Sequence, residues 1–142
     1  MDITKEVINH LHNNIKTEIK ISNVDGVGVF AIRDIKVGEE IFPVWKYETG
    51  IYLIPNDDLY KLPQNVQILL DKYFINDECG FKVIRLFKEL NFLFHGFSYC
   101  NSAFPNQKNT NMDIYGIATR DIKEGEEILE WYTENIYLDD SK

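Results

Sequence analysis

Apolar residues at Ile3, Val7, Leu11, Ile15 and Ile19 recur at every fourth position with Lys and Asn between them, which predicts an amphipathic helix over residues 1–20. From residue 23 to 52 the pattern changes to short apolar alternations broken by Gly, the texture of short strands joined by tight turns. Leu59, Leu62, Val66, Leu69, Leu70, Tyr73 and Phe74 then share a helical face, and Pro63 stands where a helix can begin, so a helical insert is expected at about 55–90. Residues 81–97 are rich in Phe and Leu without a clean period, so strand and helix both stay open there. Strand texture returns from Ile114 to Tyr132, and a short acidic tail follows at 136–142. No linker composition interrupts the chain. The expectation is one domain, 1–142, mainly β with helical inserts and a core over 21–135.

The strand texture contains an internal echo. Residues 31 to 41 read Ala-Ile-Arg-Asp-Ile-Lys-Val-Gly-Glu-Glu-Ile, and residues 118 to 128 read Ala-Thr-Arg-Asp-Ile-Lys-Glu-Gly-Glu-Glu-Ile, identical at nine of eleven positions with an offset of 87. Each copy has an apolar strand end, a polar turn, a Gly free to take positive φ, and an Ile that re-enters a strand. Two copies are too few for a solenoid. They predict a pseudo-symmetric β fold in which the two units face each other.

Composition narrows the partners. Fifteen Lys and Arg against 23 Asp and Glu leave a net charge of −8, which argues against direct binding to nucleic acid or an anionic membrane and points to a cationic partner. Eight of the acids and only two bases fall between Asp121 and Lys142, so the excess is local. Cys79 and Cys100 are too few for a four-thiolate zinc site, and His10 and His12 point about 200° apart on a helix, so no metal is expected. The opening residues lack a basic start with an apolar run, and no stretch reaches the ~20 apolar residues of a membrane span. An intracellular, soluble protein is expected, with cytoplasm and nucleus unresolved.

At this point the residues carry a resemblance. Gly26-Val27-Gly28-Val29-Phe30-Ala31, followed by Arg33-Asp34-Ile35 and Gly38-Glu39-Glu40-Ile41, resembles the opening of a SET domain, the β-clip of protein-lysine methyltransferases. Gly125-Glu126-Glu127-Ile128-Leu129-Glu130-Trp131-Tyr132 resembles its closing motif, with the Trp-Tyr ending of the PR-domain branch. Between them, Tyr99-Cys100-Asn101-Ser102-Ala103-Phe104-Pro105-Asn106 stands where the family usually reads Asn-His-Ser-Cys-x-Pro-Asn. Aligned on Pro105-Asn106, Cys100 and Asn101 replace the usual Asn and His. Aligned on Asn101-Ser102-Ala103, the segment is similar to the PR-domain variant Asn-Cys-Ala, and Asn109 becomes the second Asn. The second register keeps an Asn available for a cofactor, and the choice between Asn106 and Asn109 stays open.

The resemblance implies a SET-domain β-clip of short strands with an N-terminal helix. It also implies S-adenosylmethionine as cofactor and a lysine side chain of a basic protein, such as a histone, as methyl acceptor. Gly26, Val27 and Gly28 then offer main chain to the cofactor, where missing side chains permit close approach. Asn101 and Ser102 bind it through amide and backbone groups, and the aromatic cover comes from Tyr137 or is missing. Tyr132 takes the place of the catalytic tyrosine, as an orienting phenol rather than a strong base. Tyr99 and Trp131 are candidate walls of the lysine channel. Flanking cysteine-rich zinc segments and the central His are absent from this sequence. A catalytically silent SET-like module that binds a peptide or protein is therefore the alternative, with a SAF-type β-clip binding a small ligand behind it. Oligomeric state is not legible.

Overall fold

The computed structural model describes residues 1–92 and 99–131. Its elements are short: helix α1 (Ile3–Asn14), strands β1 (Thr17–Ile21), β2 (Val27–Ala31) and β3 (Gly50–Pro55), helices α2 (Asn56–Leu59) and α3 (Gln64–Tyr73), and strands β4 (Phe81–Leu86), β5 (Asn101–Ser102) and β6 (Leu129–Glu130). This is the mainly-β architecture with an N-terminal helix and helical inserts that the apolar pattern implies. Among the described residues no helix is long and apolar enough to cross a membrane.

Two compact units gather these elements, each from two separated stretches of chain. The first takes the described residues of Met1–Lys16 and Phe42–Gly96, and the second those of Thr17–Ile41 and Phe97–Lys142.

In the first unit, α1 starts where the Asp2 side chain accepts the Lys5 N–H at 3.2 Å, and it buries Val7 and Leu11 completely. It ends at Asn14, earlier than the expected residue 20, and Thr17–Ile21 is a strand. The physical reason is parity. A spacing of four suits a helix turn but is also even, so Ile15 and Ile19 fit a strand equally, and β-branched Thr17, Ile19 and Ile21 favour it. The helical face at 59–74 is real in six of its seven residues: Leu59, Leu62, Val66, Leu69, Leu70 and Phe74 are buried, while Tyr73 is exposed. The stretch at 81–97 that periodicity left open begins as β4, which pairs antiparallel with β3 from Gly50↔Leu86 to Pro55↔Phe81.

Trp45 anchors this unit at 1% exposure, meeting His10, Tyr47 and Tyr52 edge-on with ring centroids 5.1–5.5 Å apart. His10 is buried with both ring nitrogens engaged. Nε2 lies 2.6 Å from the Asn91 carbonyl oxygen and Nδ1 lies 2.8 Å from the Asn14 amide nitrogen. A carbonyl only accepts and an amide NH2 only donates, so the proton sits on Nε2 and the ring is neutral. Burial lowers its pKa in the same sense, against the raising effect of the Asn91 carbonyl.

In the second unit, β1 and β2 form an antiparallel hairpin from Thr17↔Ala31 to Ile21↔Val27. The two copies of the repeat face each other, as the echo predicts. Gly38 (φ +87°) and Gly125 (φ +90°) occupy the same left-handed turn position. Gly38 donates its N–H to the Ala118 carbonyl, and Gly125 donates to the Ala31 carbonyl, both at 2.8 Å. Ile41 and Ile128, which close the two copies, are both fully buried. The unit's core also contains Val29, Ala31, Ile35, Met112, Ala118 and Ile122.

Candidate functional site

The hairpin between β1 and β2 turns through Ser22 to Gly26. Ser22 donates its N–H to the Gly26 carbonyl at 2.9 Å, and its Oγ accepts the Val24 N–H at 2.9 Å. Gly26 takes φ +46°, a conformation that L side chains rarely adopt, and the space over its α-carbon is open. The following residue, Val27, is exposed.

Asn101 comes to this turn from more than seventy residues away. Strand β5 carries it, paired in parallel with β6 through Asn101↔Leu129 and Ser102↔Glu130 and extended by the Ala103 N–H to the Glu130 carbonyl at 2.7 Å. From there its Nδ2 reaches the carbonyl oxygens of Asp25 and Val27, both at 3.1 Å, and the Glu127 carboxylate at 2.8 Å. The structure thus brings Gly26, Val27, Gly28 and Asn101 together in one place. It also gives the amide a specific task. The Asn101 NH2 is spent on the turn and on Glu127, so what it offers outward is its Oδ1, to which nothing among the described residues donates.

Glu127 is the residue that sequence reasoning missed. Its two oxygens lie 2.7 and 2.8 Å from the Ser22 hydroxyl, which donates to them. Asn111, also missed, is wholly buried beneath Glu127. Asn111 donates Nδ2–H to the Glu127 carbonyl and accepts the Leu129 N–H on Oδ1, both at 2.8 Å. Its own N–H and carbonyl pair with the Leu129 carbonyl (3.0 Å) and the Thr119 N–H (2.9 Å). Neither Asn106 nor Asn109 has this standing, since both are exposed. The Asn106 side chain accepts the Lys108 N–H at 3.1 Å and caps the turn at Gln107–Asn109.

The remaining candidates are spread around this centre. The Ser102 Oγ accepts the Phe104 N–H at 3.1 Å, a local turn contact. Trp131 is half-buried and lies against exposed Phe104 with ring centroids 5.9 Å apart. Tyr99 is 41% exposed. Between Tyr99 and Asn101, Cys100 is buried, and burial, with Glu130 and Glu127 adding to it, pushes its thiol far above the usual range. It stays protonated and is no nucleophile at neutral pH. Tyr132 and Tyr137 lie outside the described residues.

Among known proteins, no family model matches the chain and no curated protein matches it. Solved structures do. One is a Plasmodium falciparum protein described as a histone methyltransferase, 21% identical, with 84% of this chain and 94% of that chain covered and a TM-score of 0.39. Another is the methyltransferase domain of human PR domain-containing protein 2, 18% identical, covering 84% of this chain and 78% of that one, with a TM-score of 0.41. Identities and scores are low, and the function argued next rests on the chain's own residues.

Proposed function

We propose that this chain is a SET-like methyltransferase that uses S-adenosylmethionine to methylate a lysine side chain on a basic protein. The observation that carries the reading is the convergence of Asn101 on the Gly26–Gly28 turn, two motifs far apart in sequence that both belong to the resemblance. The residues fit such a cofactor. The space over the Gly26 α-carbon is open, so a ligand can lie against main chain there, and Asn101 presents a carbonyl oxygen beside it.

S-adenosylmethionine, when bound, supplies an electrophilic methyl group. The protein's part is positioning and exclusion of water, and holding two reactants in attack geometry contributes ~7–11 kcal/mol to such reactions. A lysine ammonium, with a pKa near ~10.4 in water, must lose its proton before it attacks. A channel walled by Tyr99 and Trp131 favours the neutral amine by desolvation, while aromatic faces stabilise the methylammonium product. The Tyr132 hydroxyl orients the amine as a hydrogen-bond acceptor. The acids of the second repeat copy, Asp121, Glu124 and Glu126, draw a basic substrate segment in.

The test is direct. The protein is mixed with labelled S-adenosylmethionine and a panel of basic proteins including histones, beside Tyr132→Phe. Transfer that Tyr132→Phe abolishes is the expected result. No transfer and no thermal shift with the cofactor sinks the reading. Binding without transfer selects the silent module.

A further inference from the structure

We infer that Glu127 is a positioning residue for the Gly26–Gly28 turn, and that position 28 is glycine because this carboxylate, not a ligand, fills the space of its side chain. The functional consequence rests on reading the turn as the cofactor's seat; the brace itself does not.

Three observations carry it. First, Gly28 does not need to be glycine for its backbone, because it lies inside the β1–β2 ladder opposite Lys20, where any residue is at home. The constraint is steric. A Cβ on Gly28 would overlap the Glu127 Oε2, and would stand 2.9 Å from the Glu127 Cδ and 3.0 Å from the Ser22 Cβ. Gly26 is the opposite case, with nothing near its α-carbon and a positive φ. The two glycines of the motif are therefore glycine for different reasons.

Second, the carboxylate bridges both ends of the turn. Ser22, before it, donates to both Glu127 oxygens, and Asn101 donates to Oε2 while holding the carbonyls of Asp25 and Val27. One side chain thus links the residue that opens the turn, the strand that leaves it, and the asparagine that clamps it. Hydrogen bonds to a charged acceptor are worth about twice neutral ones.

Third, the repeat contains its own control. Glu40 is the counterpart of Glu127, and the two make corresponding backbone bridges, Glu40↔Ile117 and Phe30↔Glu127. Glu40 is exposed, whereas Glu127 is turned onto Ser22, Gly28 and Asn101. The same backbone position is exposed in one copy and is the turn's brace in the other.

The experiment has two readouts on the full chain. Hydrogen exchange of amides 22–28 reads the brace without any ligand, and calorimetric titration with S-adenosylmethionine reads its consequence. Glu127→Ala should speed exchange at 22–28 by about tenfold or more while leaving the Ile35 and Ile122 amides unchanged, and should weaken cofactor binding by a similar factor. Glu127→Gln, which can still accept from Asn101, should recover most of both, and Glu40→Ala should move neither. Gly28→Ala should lower the melting temperature, and Gly28→Ala with Glu127→Ala should melt above Gly28→Ala alone, because the clash is gone. If Glu127→Ala does not fold, Ser22→Ala, which removes the donor to both Glu127 oxygens, carries the same exchange test. Unchanged exchange at 22–28, or a double variant no better than Gly28→Ala, overturns the brace. Exchange and suppression as expected, in a wild-type chain that does not bind S-adenosylmethionine, uphold the brace and remove the methyltransferase reading instead.

Discussion

Ile35 and Ile122 hydrogen-bond to each other in both directions, N–H to carbonyl at 2.8 Å and 2.7 Å, and they are the same position of the two repeat copies. A residue that pairs with its own counterpart marks a local two-fold axis. The side chains around the axis obey it too. The Asp34 carboxylate accepts the Glu124 N–H and the Asp121 carboxylate accepts the Val37 N–H, both at 2.9 Å, so each copy ties down the other's turn. Both isoleucines are buried to within 1% of full burial, so the axis runs through core as well as through backbone.

Exchange of turn ties predicts matched energetics. Asp34→Ala and Asp121→Ala each remove one hydrogen bond donated by a backbone N–H to a carboxylate at an exposed turn. Each should cost about 1 kcal/mol of unfolding free energy in denaturant titrations. A cost confined to one of the two would show that the symmetry is geometric without being energetic.

Much of this axis was legible because it is written as a repeat. Glycine at 38 and 125 and isoleucine at 41 and 128 state the turn and the buried position that closes each copy, and a strand follows directly only in the second, at Leu129–Glu130. The end of α1 was not legible, because Ile15 and Ile19 at a spacing of four satisfy a helix and a strand alike, and the partner strand at Val27–Ala31 decides. Asn101 and the Gly26–Gly28 turn could be nominated from residue type and order. Ser22, Asn111 and Glu127 could not, because their roles arise from contacts across 16 to 105 residues of chain, and an acid in a run of acids reads as surface. Asn106 and Asn109 are exposed while Asn111 is wholly buried, a difference that packing makes and residue type does not announce.

Asn111 should be among the most sensitive positions in the second unit. Its side chain satisfies one buried carbonyl and one buried N–H on the strand that presents Glu127. Asn111→Ala leaves both without that partner, at about 1–3 kcal/mol for each. A total loss of about 2–6 kcal/mol is expected in chemical denaturation. Asn111→Asp keeps the acceptor but loses the donor and buries a charge, so it should rescue nothing. A stable Asn111→Asp would mean that the carbonyl of Glu127 does not need its donor.

His10 gives the first unit an acid sensitivity. It is neutral in the folded chain, with its pKa held below the ordinary value of 6.5 by burial. The unfolded chain therefore takes up the proton first as pH falls. Stability from this group is fully present above about pH 6.5, falls as pH drops below it, and levels off once the folded ring also protonates. The slope is at most about 1.4 kcal/mol per pH unit. Denaturation midpoints measured from pH 7.5 to 5 should show this fall, and it should be absent in His10→Gln, which titrates nothing. An identical fall in His10→Gln would assign the acid sensitivity to carboxylates instead.

The acidic second copy predicts a salt dependence confined to the substrate side. If Asp121, Glu124 and Glu126 steer a basic peptide, raising ionic strength from 0.05 to 0.5 M shortens the Debye length from roughly 14 Å to roughly 4 Å, and their pull on an approaching lysine-rich segment fades. The KM for a basic peptide should then rise several-fold with kcat nearly constant, because the charges act on approach rather than on the methyl transfer itself. The affinity for S-adenosylmethionine, which the proposed site at the Gly26–Gly28 turn and Asn101 would set, should change far less. Glu124→Gln tests the same point at one residue. Its counterpart in the first copy is the neutral Val37, and its own N–H, not its side chain, makes the tie to Asp34, so loss of its charge should lower the salt slope without loosening the turn. A salt slope unchanged in Glu124→Gln, or one that falls equally on peptide and cofactor, would place the steering charge elsewhere on the chain.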